Sequence, residues 1–268
     1  MPDVKKEQEQ SQPLVSVIMP AYNSGEFIAA SIRSVLDQDY TNWELLIVND
    51  CSTDNTRGVI KSFITDPRIQ LLDNRHNLGG AGSRNRAIEH ARGRFIAFLD
   101  SDDLWSTDKL SKQIGFMLSN AIAFSFSGYS TMTEAGAVKE SIQVPEKISF
   151  SQLLKHNYIG CLTAVYDAEQ LGKVYMPLVR KRQDFALWLE ILKQIDFAYG
   201  LPANLGFYRI RTGSLSANKK DAFTYYWRVL RDVGECGFFS AAYNISWYMF
   251  IVFLKKKMTG VYHKFFIG

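Results

Sequence analysis

The sequence predicts an α/β fold, a mostly parallel central sheet flanked by helices, with a C-terminal helical extension. Three observations carry this reading. Between residues 14 and 110, near-continuous apolar runs of strand length alternate with segments of helical spacing, the pattern of strands covered on both faces. Each of three such runs ends in a polar cluster, PAYNSG, NDCSTD or DSDD. Beyond residue 216 the chain turns aromatic and basic, with apolar spacing that fits two helices.

The elements follow in order. Residues 15–19 form a short β-rich run after Pro13, and residues 26–38 show helical spacing through Phe27, Ile28, Ile32, Val35 and Leu36. A second strand covers 43–48, a helix 54–64, a third strand 69–72, a helix 80–92, a strand 94–99 and a helix 106–118. The stretch AIAFSFSGYSTMTEAGAV reads as a hairpin turning at EAG. Residues 183–195 form a helix, and FAYGLPANLGFYRIR reads as a pair of short strands. The domain organisation is a disordered polar tail (1–13), a catalytic-type domain (14–216) and an aromatic, basic helical extension (217–268). The tail lacks the apolar stretch of a signal peptide.

Composition narrows the function. At 47 % hydrophobic and 22 % charged residues, the chain has an ordinary globular balance. Cys51, Cys161 and Cys236 are far apart and odd in number, which fits a reducing compartment. His76, His90, His156 and His263 form no cluster with cysteine, so a zinc site is not expected. The net charge is +4, yet residues 217–268 carry eight Lys or Arg against three Asp or Glu. The basic excess is local to the tail and points to an anionic partner there, with no nucleic-acid signature elsewhere.

The chemistry concentrates at strand ends, where ligands bind in such sheets. Asp100, Ser101, Asp102 and Asp103 follow the strand at 94–99. Ser101 or Asp102 can cap the following helix. The alternative is a Mg²⁺ or Mn²⁺ ion carrying a diphosphate, since hard divalent cations accept one or two carboxylates completed by phosphate oxygens. Asp50 either caps the next helix or accepts from a nucleotide. The glycines at 79, 80 and 82 precede a helix carrying Arg84 and Arg86; such a loop suits phosphate, although it matches neither common nucleotide motif.

In VSVIMPAYNSGEFIAASIRSVLDQDY, ELLIVNDCSTDNT and NLGGAGSRNRAIEHARGRFIAFLDSDD, with their order and gaps, the chain resembles the family 2 glycosyltransferases of GT-A fold, bacterial surface-polysaccharide type. The likeness resumes at KRQDFALWLEIL and FYRIRTGSLS. It implies that Pro20, Ala21 and Tyr22 wall the uracil side of a donor site, with Asp50 on the nucleoside and Arg84 on the base or diphosphate. Asp100, Ser101 and Asp102 fill the DxD motif; Asp102 is the expected metal ligand, and Asp103 shares that task. Asp184 occupies the position of the general base. Gln183 stands where the family usually has Glu, and Arg211 replaces a frequent histidine pattern. A guanidinium cannot ligate metal, so Arg211 is expected on the diphosphate. Ser214 and Ser216 keep the rest of that loop pattern.

The resemblance implies an inverting, metal-dependent transfer from a UDP-sugar to a polyprenyl-diphosphate-linked saccharide in O-antigen, capsule or exopolysaccharide synthesis. A sugar nucleotidyltransferase would need a basic glycine-rich loop in place of PAYNSG. An aspartyl phosphatase would want Thr where Leu104 stands. A non-catalytic nucleotide-sugar scaffold would have no use for both Asp102 and Asp184. Residues 236–254 carry seven aromatics and precede Lys255, Lys256 and Lys257. An interfacial helix on the membrane's cytoplasmic face fits them better than a span or ordinary packing.

Overall fold

The computed structural model describes residues 12–211 and 219–257. Expectations for the tail before residue 12, for Ser214 and Ser216, and for residues 258–268 lie outside the described residues. The chain runs β1 (Val15–Ala21), α1 (Ile28–Leu36), β2 (Trp43–Asn49), α2 (Thr56–Lys61), β3 (Ile69–Asp73), α3 (Gly79–His90), β4 (Phe95–Phe98), β5 (Leu104–Trp105) and α4 (Lys109–Ser119). Then come β6 (Phe124–Met132), β7 (Val138–Ile142), β8 (Lys147–Ile148), α5 (Phe150–Leu153) and a 3-10 turn, Cys161–Thr163. The rest is β9 (Val165–Asp167), α6 (Ala168–Leu171), α7 (Gln183–Leu192), β10 (Ala198–Arg209), α8 (Lys219–Asp232) and α9 (Phe238–Lys257).

One sheet of order β3-β2-β1-β4-β9-β6-β10-β5 organises the molecule. Its first four strands are parallel, and β9 then pairs antiparallel to both β4 and β6. The apolar runs behave as doubly covered strands should. Val15, Val17 and Met19 of β1, with Leu45 and Ile47 of β2, pack under α1 and α4. Ile18, Leu46 and Val48 point the other way, against α3 and α7. In that second layer Trp188 is fully buried, with Phe98 and Phe124 at centroid distances of 5.5 and 5.2 Å.

Three sequence expectations change. FAYGLPANLGFYRIR forms one strand, β10, that absorbs Pro202 through register shifts on either side of Asn204. Proline removes a ladder donor, and a bulge accommodates that without ending the strand. Helix α4 begins at Lys109, because Leu104 and Trp105 pair with β10 and the Ser106 N–H donates to the Leu205 carbonyl (3.1 Å). The DSDD cluster therefore caps no helix. The C-terminal helices are built into the same core, since Tyr226, Val229, Leu230, Ala241 and Ile245 join the layer containing Trp188. The opposite side of α9 exposes Phe239 (87 %), Tyr243, Met249, Phe250 and Phe253. Among the described residues, no helix is long and apolar enough to cross a membrane.

Lys109 opens α4 with its side chain fully buried, donating to Gln113 Oε1 and, at 3.3 Å, to the Thr163 carbonyl. Burial pulls its ammonium from 10.5 down to about 7. The unfolded chain therefore binds this proton more readily than the folded one, and the resulting penalty fades as pH rises from about 7 toward 10.5. Lys109→Met is predicted to remove that dependence. In denaturant titrations from pH 7 to 10, the difference between the unfolding free energies of variant and wild type should fall by about 1.4 kcal/mol per pH unit.

Candidate active site

The polar clusters at the strand ends converge. The loop after β1 is stitched to the loop after β2: Ser24 N–H donates to Thr56 Oγ1 (2.8 Å), Gly25 N–H to Asp54 Oδ2 (2.9 Å), and Thr53 N–H to Asn23 Oδ1 (2.8 Å). Short polar side chains at these positions let each loop satisfy the other's backbone. The stitching leaves Tyr22 54 % exposed and Pro20 partly so. Ala21 does not form part of the expected wall. Its side chain is buried in the core and its carbonyl accepts the Asp50 N–H (2.8 Å).

Asp50 is buried and holds the glycine-rich loop. One oxygen accepts from Asn74 Nδ2 and the Leu78 N–H (both 2.7 Å), the other from the Gly79 N–H (2.8 Å). Gly79 takes φ +72°, which admits this turn at no steric cost. The Leu78 and Gly79 N–H groups at the start of α3 are thus spent on Asp50 and are not free for a phosphate. Asp50 uses three of its roughly four acceptor positions this way.

Past β4 three carboxylates meet three arginines. Asp100 pairs with Arg84 of α3, and Ser101 is buried in the turn between the carboxylates. Asp102 Oδ2 accepts from Arg211 Nη1 at 3.0 Å. Asp103 lies at 1 % exposure and accepts the Arg209 backbone N–H at 2.8 Å, while Arg209 Nε donates to the Asp102 carbonyl at 2.8 Å. Burial, then the neighbouring Asp100 charge, raises the carboxyl of Asp102, and the same causes raise Asp103 strongly. The expectation that Asp103 shares a metal fails on this geometry, because its carboxylate faces inward onto β10. Burial opposes the charge of Arg84, yet Asp100 and other anions more than offset it and hold the guanidinium firmly protonated.

Asp184 stands in the first turn of α7. Burial raises its carboxyl; the Phe185 N–H and Arg84 pull the other way, and the Asp100 charge adds to the rise. Gln183 Oε1 lies 3.4 Å from Arg84 Nη1. A Cβ on Gly80 would come within 2.9 Å of that oxygen and 3.0 Å of Arg84 Nη1, so glycine makes room for the approach. Arg84 Nε is buried and has no hydrogen-bond partner among the described residues.

Cys161, Arg209 and Phe27 belong to the site and escape sequence reasoning. Cys161 sits within electrostatic reach of Arg84, Asp100 and Asp184, and burial raises its thiol well above the usual range. Arg209 and Arg211 both lie over the ring of Phe27, at 5.1 and 4.6 Å. Only the alternation along the end of β10 hints that Arg209 shares a face with Arg211.

The site fits a hard divalent cation. Asp102 and Asp100 offer one or two oxygen donors on a part-exposed surface, and their mutual charge, which raises Asp102, is what a cation relieves. Among the described residues, no three His, Cys, Asp or Glu side chains gather as a metal-holding group. Ligand oxygens would complete the coordination.

Known proteins resemble the chain in sequence and in fold. Residues 16–167 match the family described as Glycosyl transferase family 2. A Bacillus subtilis protein named putative teichuronic acid biosynthesis glycosyltransferase TuaG is 44 % identical over 87 % of this chain and 93 % of its own. The Escherichia coli UDP-Glc:alpha-D-GlcNAc-diphosphoundecaprenol beta-1,3-glucosyltransferase WfgD is 46 % identical over 83 % of this chain and 87 % of its own. Among solved structures, S. aureus TarS 1-349 in complex with UDP superposes with a TM-score of 0.67 at 20 % identity, covering 87 % of this chain and 69 % of that one. The mannosyltransferase PcManGT from Pyrobaculum calidifontis, in complex with GDP-Man and Mn2+, gives 0.68 at 20 % identity, over 85 % and 66 %. At such identities these structures establish the fold.

The neighbouring carboxylates should separate on mutation. Asp103→Ala leaves the buried Arg209 N–H without its acceptor and is predicted to cost roughly 1–3 kcal/mol in denaturant unfolding. Asp102→Ala removes only a part-exposed ion pair and should cost about 0–1 kcal/mol.

Proposed function

The chain belongs to glycosyl transferase family 2, and we propose that it moves one sugar from a UDP-linked donor onto a polyprenyl-diphosphate-linked saccharide, inverting the anomeric configuration. The observation that carries this is the convergence of Arg84, Asp100, Asp102 and Asp184 at the carboxyl ends of the strands, with a buried arginine N–H awaiting an acceptor. The finer reading, glucose from UDP-glucose onto lipid-linked GlcNAc, draws on the printed activity of the WfgD relative.

Pro20 and Tyr22 would face the uracil, and the remaining acceptor position of Asp50 would serve the nucleoside. The Arg84 Nε–H would donate to the diphosphate. Asp102, with Asp100 beside it, would hold Mn²⁺ or Mg²⁺, which neutralises charge on the departing diphosphate. Arg211 would leave Asp102 for a phosphate oxygen. Asp184 would take the proton of the acceptor hydroxyl as that oxygen bonds to the anomeric carbon and the bond to UDP breaks on the opposite face. Its raised carboxyl makes it a stronger base than an exposed aspartate. One displacement turns an α-linked donor into a β-linked product.

The exposed aromatic face of α9, with the local basic excess of residues 217–268, would rest on an anionic membrane surface at its cytoplasmic side. That position brings the site to a lipid-anchored acceptor.

The test is turnover of UDP-glucose with a GlcNAc-diphospholipid acceptor. Asp184→Asn should lower kcat by about 10²–10⁴-fold while the UDP dissociation constant stays within about twofold. A variant that keeps wild-type kcat would remove Asp184 from the role of base.

A further inference from the structure

The turn before α7 carries three successive cations, Arg180, Lys181 and Arg182, and it is pinned from two sides. Toward the donor side, Gln183 Nε2 donates to the Arg180 carbonyl (3.2 Å) while Oε1 of the same amide faces Arg84. Toward the C-terminal helices, Arg182 lays its guanidinium over Tyr226 (4.7 Å) and Tyr248 (5.6 Å). Its Nη2 also lies 3.4 Å from Tyr248 Oη. Lys181 Nζ and the Arg228 guanidinium stand over one ring, Tyr225, at 5.7 and 5.8 Å. Arg180 and Arg228 are exposed.

The three cations of the turn thus immediately precede the helix that carries Asp184, Arg228 of α8 meets Lys181 over the Tyr225 ring, and the same helix pair turns its exposed aromatics outward. Arg180 is four residues from Asp184, a distance of at most about 14 Å even in extended chain. A solvated basic face is the ordinary meaning of such a run. This one is seated on rings and tied by Gln183 to the arginine of the donor side, which a merely solvated run does not require.

We infer that Arg180, Lys181 and Arg228 form a subsite for the acceptor's diphosphate, an inference that rests on the glycosyl-transfer reading above. The attacked hydroxyl and the diphosphate belong to one sugar ring in such an acceptor, so a hydroxyl at Asp184 places the phosphates beside this turn. Guanidinium forks bind phosphate oxygens in pairs, and Arg182, held by Tyr226 and Tyr248, fixes the turn that presents them. The lipid then leaves along the aromatic face of α9.

The experiment compares two probes on the full chain saturated with UDP and Mn²⁺: a short-chain prenyl diphosphate carrying one GlcNAc, and the neutral alkyl GlcNAc glycoside. The variants are Arg180→Gln/Arg228→Gln and Arg180→Lys/Arg228→Lys. Wild type should bind the diphosphate probe roughly tenfold or more tightly than the glycoside; the glutamine variant should lose that advantage and the lysine variant keep part of it. A wild type indifferent to the diphosphate, or a glutamine variant that retains the advantage, overturns the subsite. So does a glutamine variant that keeps the advantage in detergent but no longer sediments with phosphatidylglycerol vesicles, which assigns the cations to bilayer headgroups. Failure of the underlying reading looks different: the wild-type protein would bind no UDP, and both proposals would fall together.

Discussion

Three carboxylates in four residues at the end of a buried strand are a charge problem, and its compensation organises this protein. Asp100, Asp102 and Asp103 each engage an arginine from elsewhere in the chain. Arg84 comes from α3, Arg211 follows β10, and Arg209 supplies its backbone to Asp103 and its side chain to the Asp102 carbonyl. Like charges this close raise one another's proton affinity and are tolerated only with such partners. The solution draws α3, β4 and β10 to one point, with α7 against Arg84. The compensation is also incomplete: Asp102 stays raised and Arg84 Nε stays unpartnered. A cation beside Asp102 and an anion beside the Arg84 Nε–H would each relieve one side of that imbalance.

Much of this was legible before any coordinates. The period of the apolar runs gave a doubly covered sheet, and the polar clusters fell at strand ends, so their convergence followed from topology alone. The linear motif also pointed to Arg84, Asp102 and Asp184, and the fold brings Arg84 and Asp184 within electrostatic reach of Asp100. What was not legible depended on pairings that no local pattern encodes. Asp103 is indistinguishable from Asp102 in sequence; only the antiparallel pairing of β5 with β10 sets its carboxylate against the Arg209 N–H. Cys161 reaches the site because the turn Cys161–Thr163 accepts the Trp105 indole N–H at the Leu162 carbonyl (2.8 Å). Asp50 looked like a ligand residue, whereas most of its acceptor capacity closes the loop before α3. The bulged strand at Pro202 was missed because proline reads locally as an end.

The C-terminal helices have two distinct faces. One face extends the core through Tyr226 and Ile245 and grips Arg182, next to the start of α7. The other exposes aromatics. The helix pair that presents these aromatics to the surroundings thus also touches, through Arg182, the start of the element carrying Asp184.

The most direct test of a cation-dependent nucleotide site is calorimetric titration of UDP into the protein, with Mn²⁺ and again with EDTA, alongside Asp102→Ala and with GDP as control. The predicted result is UDP binding in Mn²⁺ that disappears in EDTA and in the Asp102→Ala protein. UDP binding of equal strength in all three would contradict the role given to the cation and Asp102, and no binding of UDP in any would contradict the donor site itself.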